Sequence, residues 1–173
     1  GVWWNSKIPW AEKDRMIFKF LAHPTTPIVI NTNLIKPEEV RAFRDLLNPR
    51  WKGKIALNDP TVRGTGASTM VAVGLELMGW DYVEALARQE PIIVRDQRLL
   101  VEWVAQGKYP IAFAPQSASL ADFIKAGAPI KGIIPEEGTL SAAGVGTIAL
   151  LNNAPHPNAA KVFVNWLLSK EGQ

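Results

Sequence analysis

The sequence predicts an α/β protein, a three-layer sandwich with a mostly parallel central sheet, and two observations carry the prediction. Short apolar or β-branched runs alternate with stretches whose apolar residues recur three and four apart, in the repeated order strand, helix, strand. Pro, Gly and Asn stand at most of the junctions between them, where turns need those residues.

Taken in order, "PIVINT" (27–32) is a strand bounded by Pro and Asn. "KPEEVRAFRDLLNP" then predicts a helix, with Pro37 at its start, acids behind it and Val40, Phe43, Leu46 and Leu47 on one stripe. Pro49 ends it. "KIALN" reads as a buried strand, and a glycine turn leads into a helix from about Ala67 to Met78. Gly79 breaks that pattern, and Asp81 is the expected cap of "DYVEALARQ". "PIIV" is a strand, followed by a helix "DQRLLVEWVAQG" with Leu99, Leu100, Trp103 and Val104 on one face. After the strand "PIAFA", Ser117 is the expected cap of "ASLADFIKAG", whose stripe is Leu120, Phe123 and Ile124. "IKGIIP" and "GVGTIALL" are further strands. "HPNAAKVFVNWLLSKEG" closes the chain as a helix, with Ala159, Val162, Phe163, Trp166 and Leu167 expected to face inward.

Composition sets bounds on function. The 173 residues suffice for one good core, and 47% hydrophobic with 20% charged residues is an ordinary globular balance. A net charge of +3, with nineteen basic and sixteen acidic residues intermixed, gives no footprint for nucleic acid. Without cysteine there are no disulfides, thiolate metal sites or cysteine nucleophiles. No apolar run reaches the ~18 residues of a membrane span. The chain opens on Gly1-Val-Trp-Trp4 without Met and stops in "LLSKEGQ", and both ends are expected to be cuts through a longer protein.

The turn "NDPTVRGTGAS" (58–68) is the first candidate site. It lacks the Lys-Ser/Thr pair of a phosphate-binding P-loop, and Thr69 stands where a dinucleotide fingerprint has its third glycine. What remains is a helix N-terminus with free N–H groups, to which the Thr65 and Ser68 hydroxyls add donors. It is either an anion or acceptor site or a plain capped turn. Asp59 is a candidate base, or it bonds its own backbone as Asp before Pro often does. Arg95 at a strand end is either an anion partner or a solvated arginine. Gln116, Ser117 and Ser119 lie where a strand enters a helix, the edge at which parallel α/β sheets collect ligands. Ser141 sits in a second small-residue loop. His23 and His156 are too isolated to predict a metal site, and Trp3, Trp4 and Trp10 are either stacking or packing residues. No nucleophile elbow or catalytic triad is legible, so no enzyme chemistry is expected.

Three segments carry a resemblance: "INTNLIKPEEVRAFRDLLNPRWKGKIALNDPTVRGTG", "GKYPIAFAPQSASLADFIKAGAPIKGIIPEEGTLSAAGVGTIALLNNAPHPNAAKVFVNWLLSKEGQ" and "VWWNSKIPWAEKDRMIFKFLAHP". Together they resemble the bacterial extracellular solute-binding proteins of ABC importers, in the group that includes the ferric-iron-binding proteins. The most specific parts are "DLLNPRWKGKIALNDP" and the helix ending in "NWLLSKEGQ".

The resemblance implies one lobe of a two-lobed type II periplasmic binding protein. Residues 1–173 would be a single α/β lobe with hinge strands near 27–32 and 144–151, and residues 152–173 would return to the missing first lobe. It implies non-catalytic capture of a small polar or anionic solute by hinge closure, outside the cytoplasm (periplasm or surface lipoprotein), with membrane permease subunits as partners and no nucleic acid. A cytosolic ligand-sensing effector domain of similar fold is the alternative. The family's ligand contacts carry over to Asp59 and Thr61, to Thr65, Gly66, Ala67 and Ser68, to Gln116 and Ser117, and to Ser141 and Ala142, with Arg95 added from its strand-end position. Iron-binding relatives have adjacent tyrosines in the stretch matching "FAPQSASL", and this chain has only Tyr82 and Tyr109, both elsewhere. An organic anion, a chelate or another small polar solute is therefore expected, with no cofactor and no metal held by side chains.

Overall fold

The structure is a computed structural model that describes residues 17–19, 25–139 and 147–172. Its elements are β1 (Ile17–Lys19), β2 (Ile28–Asn31), β3 (Ile55–Asn58), α1 (Thr65–Ala72), α2 (Trp80–Ala87), β4 (Ile92–Val94), α3 (Gln97–Ala105), β5 (Ile111–Phe113), α4 (Ser117–Lys125), β6 (Ile130–Ile133), β7 (Thr147–Ala149) and α5 (Pro157–Leu167). Residues 25–140 gather into one compact unit, and residues 1–24 with 141–173 into another.

The unit 25–140 is built on a five-stranded sheet in the order β4-β3-β5-β2-β6. β3 runs parallel to β4 and β5, and β2 runs antiparallel to β5 and β6. Four strands therefore share one direction and β2 alone opposes them. Ile28, Ile30, Ile55, Leu57, Ile111 and Phe113 face a cluster with Phe43, Leu46, Val73, Tyr82 and Leu86. The intervening Val29, Ala56 and Ala112 face Leu100, Val101, Val104 and Leu120 of α3 and α4. Covered on both faces, the inner strands β2, β3 and β5 read as apolar runs, while the edge strands β4 and β6 keep exposed residues. The alanines on the second face leave room for α3 and α4 to lie close to the sheet.

The segment predicted as a helix over 36–47 is instead a series of 3-10 turns at Pro37–Glu39, Phe43–Leu47 and Pro49–Trp51. Val40 and Ala42 between the first two are extended. Carboxylates take the place of helical carbonyls there. Asp45 accepts from the Arg41 and Ala42 amides at 2.7 and 2.9 Å, and Glu137 accepts from the Phe43 amide at 2.9 Å. The buried residues Val40, Phe43 and Leu46 are three apart, which is the 3-10 period, so the stripe was correctly assigned and its helix type was not.

Other departures are local. α1 starts at Thr65, ahead of the expected Ala67, and passes at Val73–Leu77 into a π-helical turn in which the Met78 amide reaches the Val73 carbonyl at 2.8 Å. α2 is capped by Gly79 with φ 88°, and the Trp80 ring lies where a Gly74 side chain would begin, so Asp81 falls inside the first turn. There its charge still suits the helix dipole. α4 begins at Ser117 with extended Gln116 in the cap position, so Ser117 is not the cap. Ile124 is exposed, whereas Leu120 is buried. α3 follows expectation, since the Asp96 carboxylate accepts from the Arg98 and Leu99 amides, and Leu100 and Val104 are buried.

In the other unit β1 and β7 pair antiparallel, with Ile17 opposite Ala149. α5 has Pro157 in its first turn, where a missing N–H costs nothing. Its apolar stripe is not turned inward as expected: Val162, Phe163 and Trp166 are 69%, 57% and 51% exposed, and Ala159 is exposed too. The periodicity made the stripe, but no described residue covers it.

Tyr82 ties the two ends of the first cluster together, donating its hydroxyl to the Phe43 carbonyl at 2.8 Å inside the core. Burial, with the nearby Glu137 and Asp45 charges, raises its pKa, so it stays a donor. Tyr82→Phe keeps the edge-on contact with the Phe43 ring and removes this bond to the Phe43 carbonyl, so urea denaturation should show a loss of about 0.5–1.5 kcal/mol. An unchanged midpoint would mean the bond contributes nothing.

Candidate functional site

The parallel strands β3, β4 and β5 end side by side, at Asn58, Val94 and Phe113, and their following residues form one edge of the sheet. The Asp59 amide bonds the Val94 carbonyl at 3.0 Å, locking the first two ends together. Asn58, 2% exposed, adds a second tie: its Nδ2 donates to the Val94 carbonyl at 3.1 Å, and its Oδ1 accepts from the Gly66 amide at 2.8 Å. That bond holds the first turn of α1 against the strand end.

Gly66 is required by this approach. A Cβ there would lie 2.4 Å from the Asn58 carbonyl and 2.7 Å from that of Asp59, and neither backbone atom can yield. This is a close-contact glycine. Its function in a phosphate loop is not needed to explain it.

Asp59 is a buried anchor. Its Oδ1 accepts from the Thr61 hydroxyl at 2.6 Å and the Thr61 amide at 2.9 Å, and its Oδ2 accepts from Arg95 Nε at 2.8 Å. The Thr61 hydroxyl, then Arg95 and the Thr61 amide, hold its pKa at about 2. It is ionised at neutral pH and makes local bonds to the Thr61 hydroxyl and amide, with a further bond to Arg95. The Arg95 side chain remains 78% exposed although it is paired, and only its Nε is used.

The third strand end joins through Thr65, with Gln97 and Ala114 as partners that no sequence signal pointed to. The Thr65 hydroxyl donates to the Ala114 carbonyl at 2.9 Å and accepts from Gln97 Nε2 at 2.9 Å, while Gln97 Oε1 accepts from the Gln116 amide at 3.0 Å. Ala114 has φ 58°, a left-handed conformation unusual for alanine, at the end of β5. The Ser68 hydroxyl turns back to the Gly64 carbonyl at 2.9 Å. The expected residues Asp59, Thr61, Thr65, Gly66, Ala67, Ser68, Arg95, Gln116 and Ser117 thus share one edge. Ser141 and Ala142 lie outside the described residues, as do Trp3, Trp4, Trp10 and His23.

The Asn58 and Gln97 carboxamide oxygens are used within this edge, and so is most of the Asp59 carboxylate, while a set of backbone donors is left over. The amides of Thr65 and Ala67 in α1, and of Ser117, Ala118 and Ser119 in α4, have no partner among the described residues. Both helices add the positive ends of their dipoles. Such an edge can accept an anion or a carbonyl-rich solute.

Comparison with known proteins gives the family. The sequence profile described as bacterial extracellular solute-binding protein matches residues 1–173. The chain belongs to that family. Solute binding outside the cytoplasm is the role the family describes. An uncharacterized protein of Haemophilus influenzae is 31% identical to this chain over 143 residues, 79% of the chain and 39% of the relative. A solved structure titled as a two-component system protein that mediates signal transduction is 30% identical, with a TM-score of 0.70 over 95% of the chain and 54% of that structure. Trichodesmium IdiA (FutA), solved with iron and citrate ligands, has a TM-score of 0.73 at 22% identity, over 97% of the chain and 57% of its own length. The fold is therefore one lobe of a type II periplasmic binding protein, and the chain spans about two fifths to three fifths of these relatives.

Two outcomes follow from the geometry. Gly66→Ala should cost about 1–3 kcal/mol in chemical denaturation, because the added methyl meets backbone oxygens; full stability would show that the approach of α1 is looser. Asp59 has its folded pKa lowered from the ordinary 3.8 to about 2, so its contribution to stability is complete above the higher value and is lost as pH falls through the lower. Melting temperature followed from pH 5 downwards should fall less steeply in Asp59→Asn than in the wild type, and equal slopes would remove Asp59 from the acid response.

Proposed function

We propose that this chain captures a small anionic or polar solute, free or as a metal chelate, at the shared edge of β3, β4 and β5, and that it does so as the solute-binding component of an ABC-type importer. The observation that carries the reading is the set of donors gathered at this edge: the Asn58 and Gln97 acceptors are spent internally, the guanidinium of Arg95 stays largely exposed beyond its Nε bond to Asp59, and five backbone amides have no partner among the described residues. An anion satisfies those donors with charge-assisted bonds, which are stronger than neutral ones.

The rest of the proposal follows from the family. A further lobe supplies the opposite wall of the cleft, the segments near 27–32 and 144–151 act as hinges, and residues 152–173 return towards that lobe. Ser141 and Ala142 contribute from the second loop. Closure on the solute presents it to membrane permease subunits, in the periplasm or from a surface lipoprotein, and no chemical step is catalysed. The bound iron and citrate named for the Trichodesmium relative support a carboxylate or its chelate as the first solute to try. A second reading, a ligand-sensing component of signal transduction, is favoured by the two-component relative at 30% identity.

The test is thermal-shift titration of the full-length gene product with citrate, ferric citrate, phosphate, sulfonates and polyamines. An anion near 100 times its dissociation constant should stabilise the protein by about 2.7 kcal/mol. Stabilisation by polyamines alone would overturn the anion reading. Arg95→Gln should weaken binding of the stabilising anion about tenfold or more, the worth of one charged hydrogen bond, with an unchanged circular dichroism spectrum. Uptake of the labelled anion that is lost on deletion of the gene supports import over sensing.

A further inference from the structure

We infer that Gln97 is a positioning residue that sets the N-terminus of α1 against the N-terminus of α4, so that the open amides of both helices address one solute. This rests on the proposed reading of the edge as an anion site. Gln97 is the first residue of α3, directly after the Asp96 cap, and is half-buried.

The orientation of its carboxamide is fixed by its neighbours. The Gln116 amide can only donate, so the group 3.0 Å from it is Oε1. Nε2 therefore points to the Thr65 hydroxyl, 2.9 Å away. That hydroxyl has one proton, which goes to the Ala114 carbonyl at 2.9 Å and leaves a lone pair for Gln97; its contact with Asn58 Oδ1 is longer, at 3.3 Å. Each bond thus decides the direction of the next, from Ala114 through Thr65 and Gln97 to Gln116.

The consequence is mechanical coupling between elements distant in sequence. Thr65 is the first residue of α1 and Gln116 the cap position of α4, and among the described residues no other side chain bonds to both. Without Gln97, α1 and α4 would each keep its own donors, and the start of α1 would be tied on the α4 side by the Thr65–Ala114 bond alone, two residues short of the Gln116 cap. A solute would then lose the advantage of meeting both sets already in place, a preorganisation effect.

The experiment measures Gln116 amide exchange and chemical shift by NMR on the full-length protein, without solute and then with citrate. In the wild type, Thr65→Val should move the Gln116 amide signal, and in a Gln97→Ala background the same substitution should move it far less. Gln97→Ala should also speed exchange at Gln116. Gln97→Glu should keep that amide protected, since a carboxylate still accepts from it, while losing the donor to Thr65. An equal Thr65→Val response in both backgrounds, or unchanged exchange in Gln97→Ala, would overturn the positioning role. Citrate affinity should fall up to about tenfold in Gln97→Ala and further in Gln97→Glu, which puts a negative charge among the donors. If wild-type protein ignores citrate and the other anions while the amide coupling is present, the anion-site reading fails and the positioning role stands.

Discussion

The buried carboxamide of Asn58 is the joint on which the rest of this edge depends. A side-chain amide removed from water must have its donor and acceptor satisfied, and both partners here are backbone: the Val94 carbonyl on the neighbouring strand and the Gly66 amide at the start of α1. One side chain thereby specifies the distance between two strand ends and the entry of a helix. It also excludes any side chain at position 66. The strand, the turn and the helix are one constraint expressed at three positions.

The chemistry of the edge is a consequence of how it is held together. Building it consumes acceptors, because strand ends and helix starts are tied through Asp59, Asn58, Thr65 and Gln97. Helix N-termini contribute donors that no intrahelical carbonyl can satisfy. A parallel sheet places such helix starts at the carboxyl ends of its strands, so an excess of donors collects on that side. Solute binding by this family then needs no reactive side chain. The Asp59 carboxylate is part of that framework, tied to Thr61 and orienting Arg95.

Much of this was legible in the residues. The strands at 28–31, 55–58, 92–94 and 111–113 fall inside the runs read as strands; double-sided burial leaves an apolar run at 28–31, 55–58 and 111–113, and the edge strand 92–94 is β-branched although Ile92 and Ile93 are exposed. The stripe Val40, Phe43, Leu46 was visible as well. Its helix type was not, because the acceptors that replace the helical carbonyls include Glu137, far away in the chain. The caps of α2 and α4 were misplaced for a similar reason: Gly79 and Gln116 take the cap positions through a turn and an extended residue that no side-chain preference announces. Gln97 carries no motif at all, and its role exists only because α1 and α4 arrive on either side of it.

By itself the sequence determined the α/β class, the sheet's strands, the glycine turn between β3 and α1, and the resemblance to solute-binding proteins. These depend on local periodicity and on short contiguous motifs, which survive without knowledge of neighbours. Only the tertiary structure decided that β2 opposes the other four strands, that Gly66 answers to two backbone oxygens, and that Asp59 is spent on Thr61 and Arg95. Those facts rest on groups brought within about 3 Å across tens of residues, and hydrogen-bond geometry is too short-ranged to leave a signature along the chain.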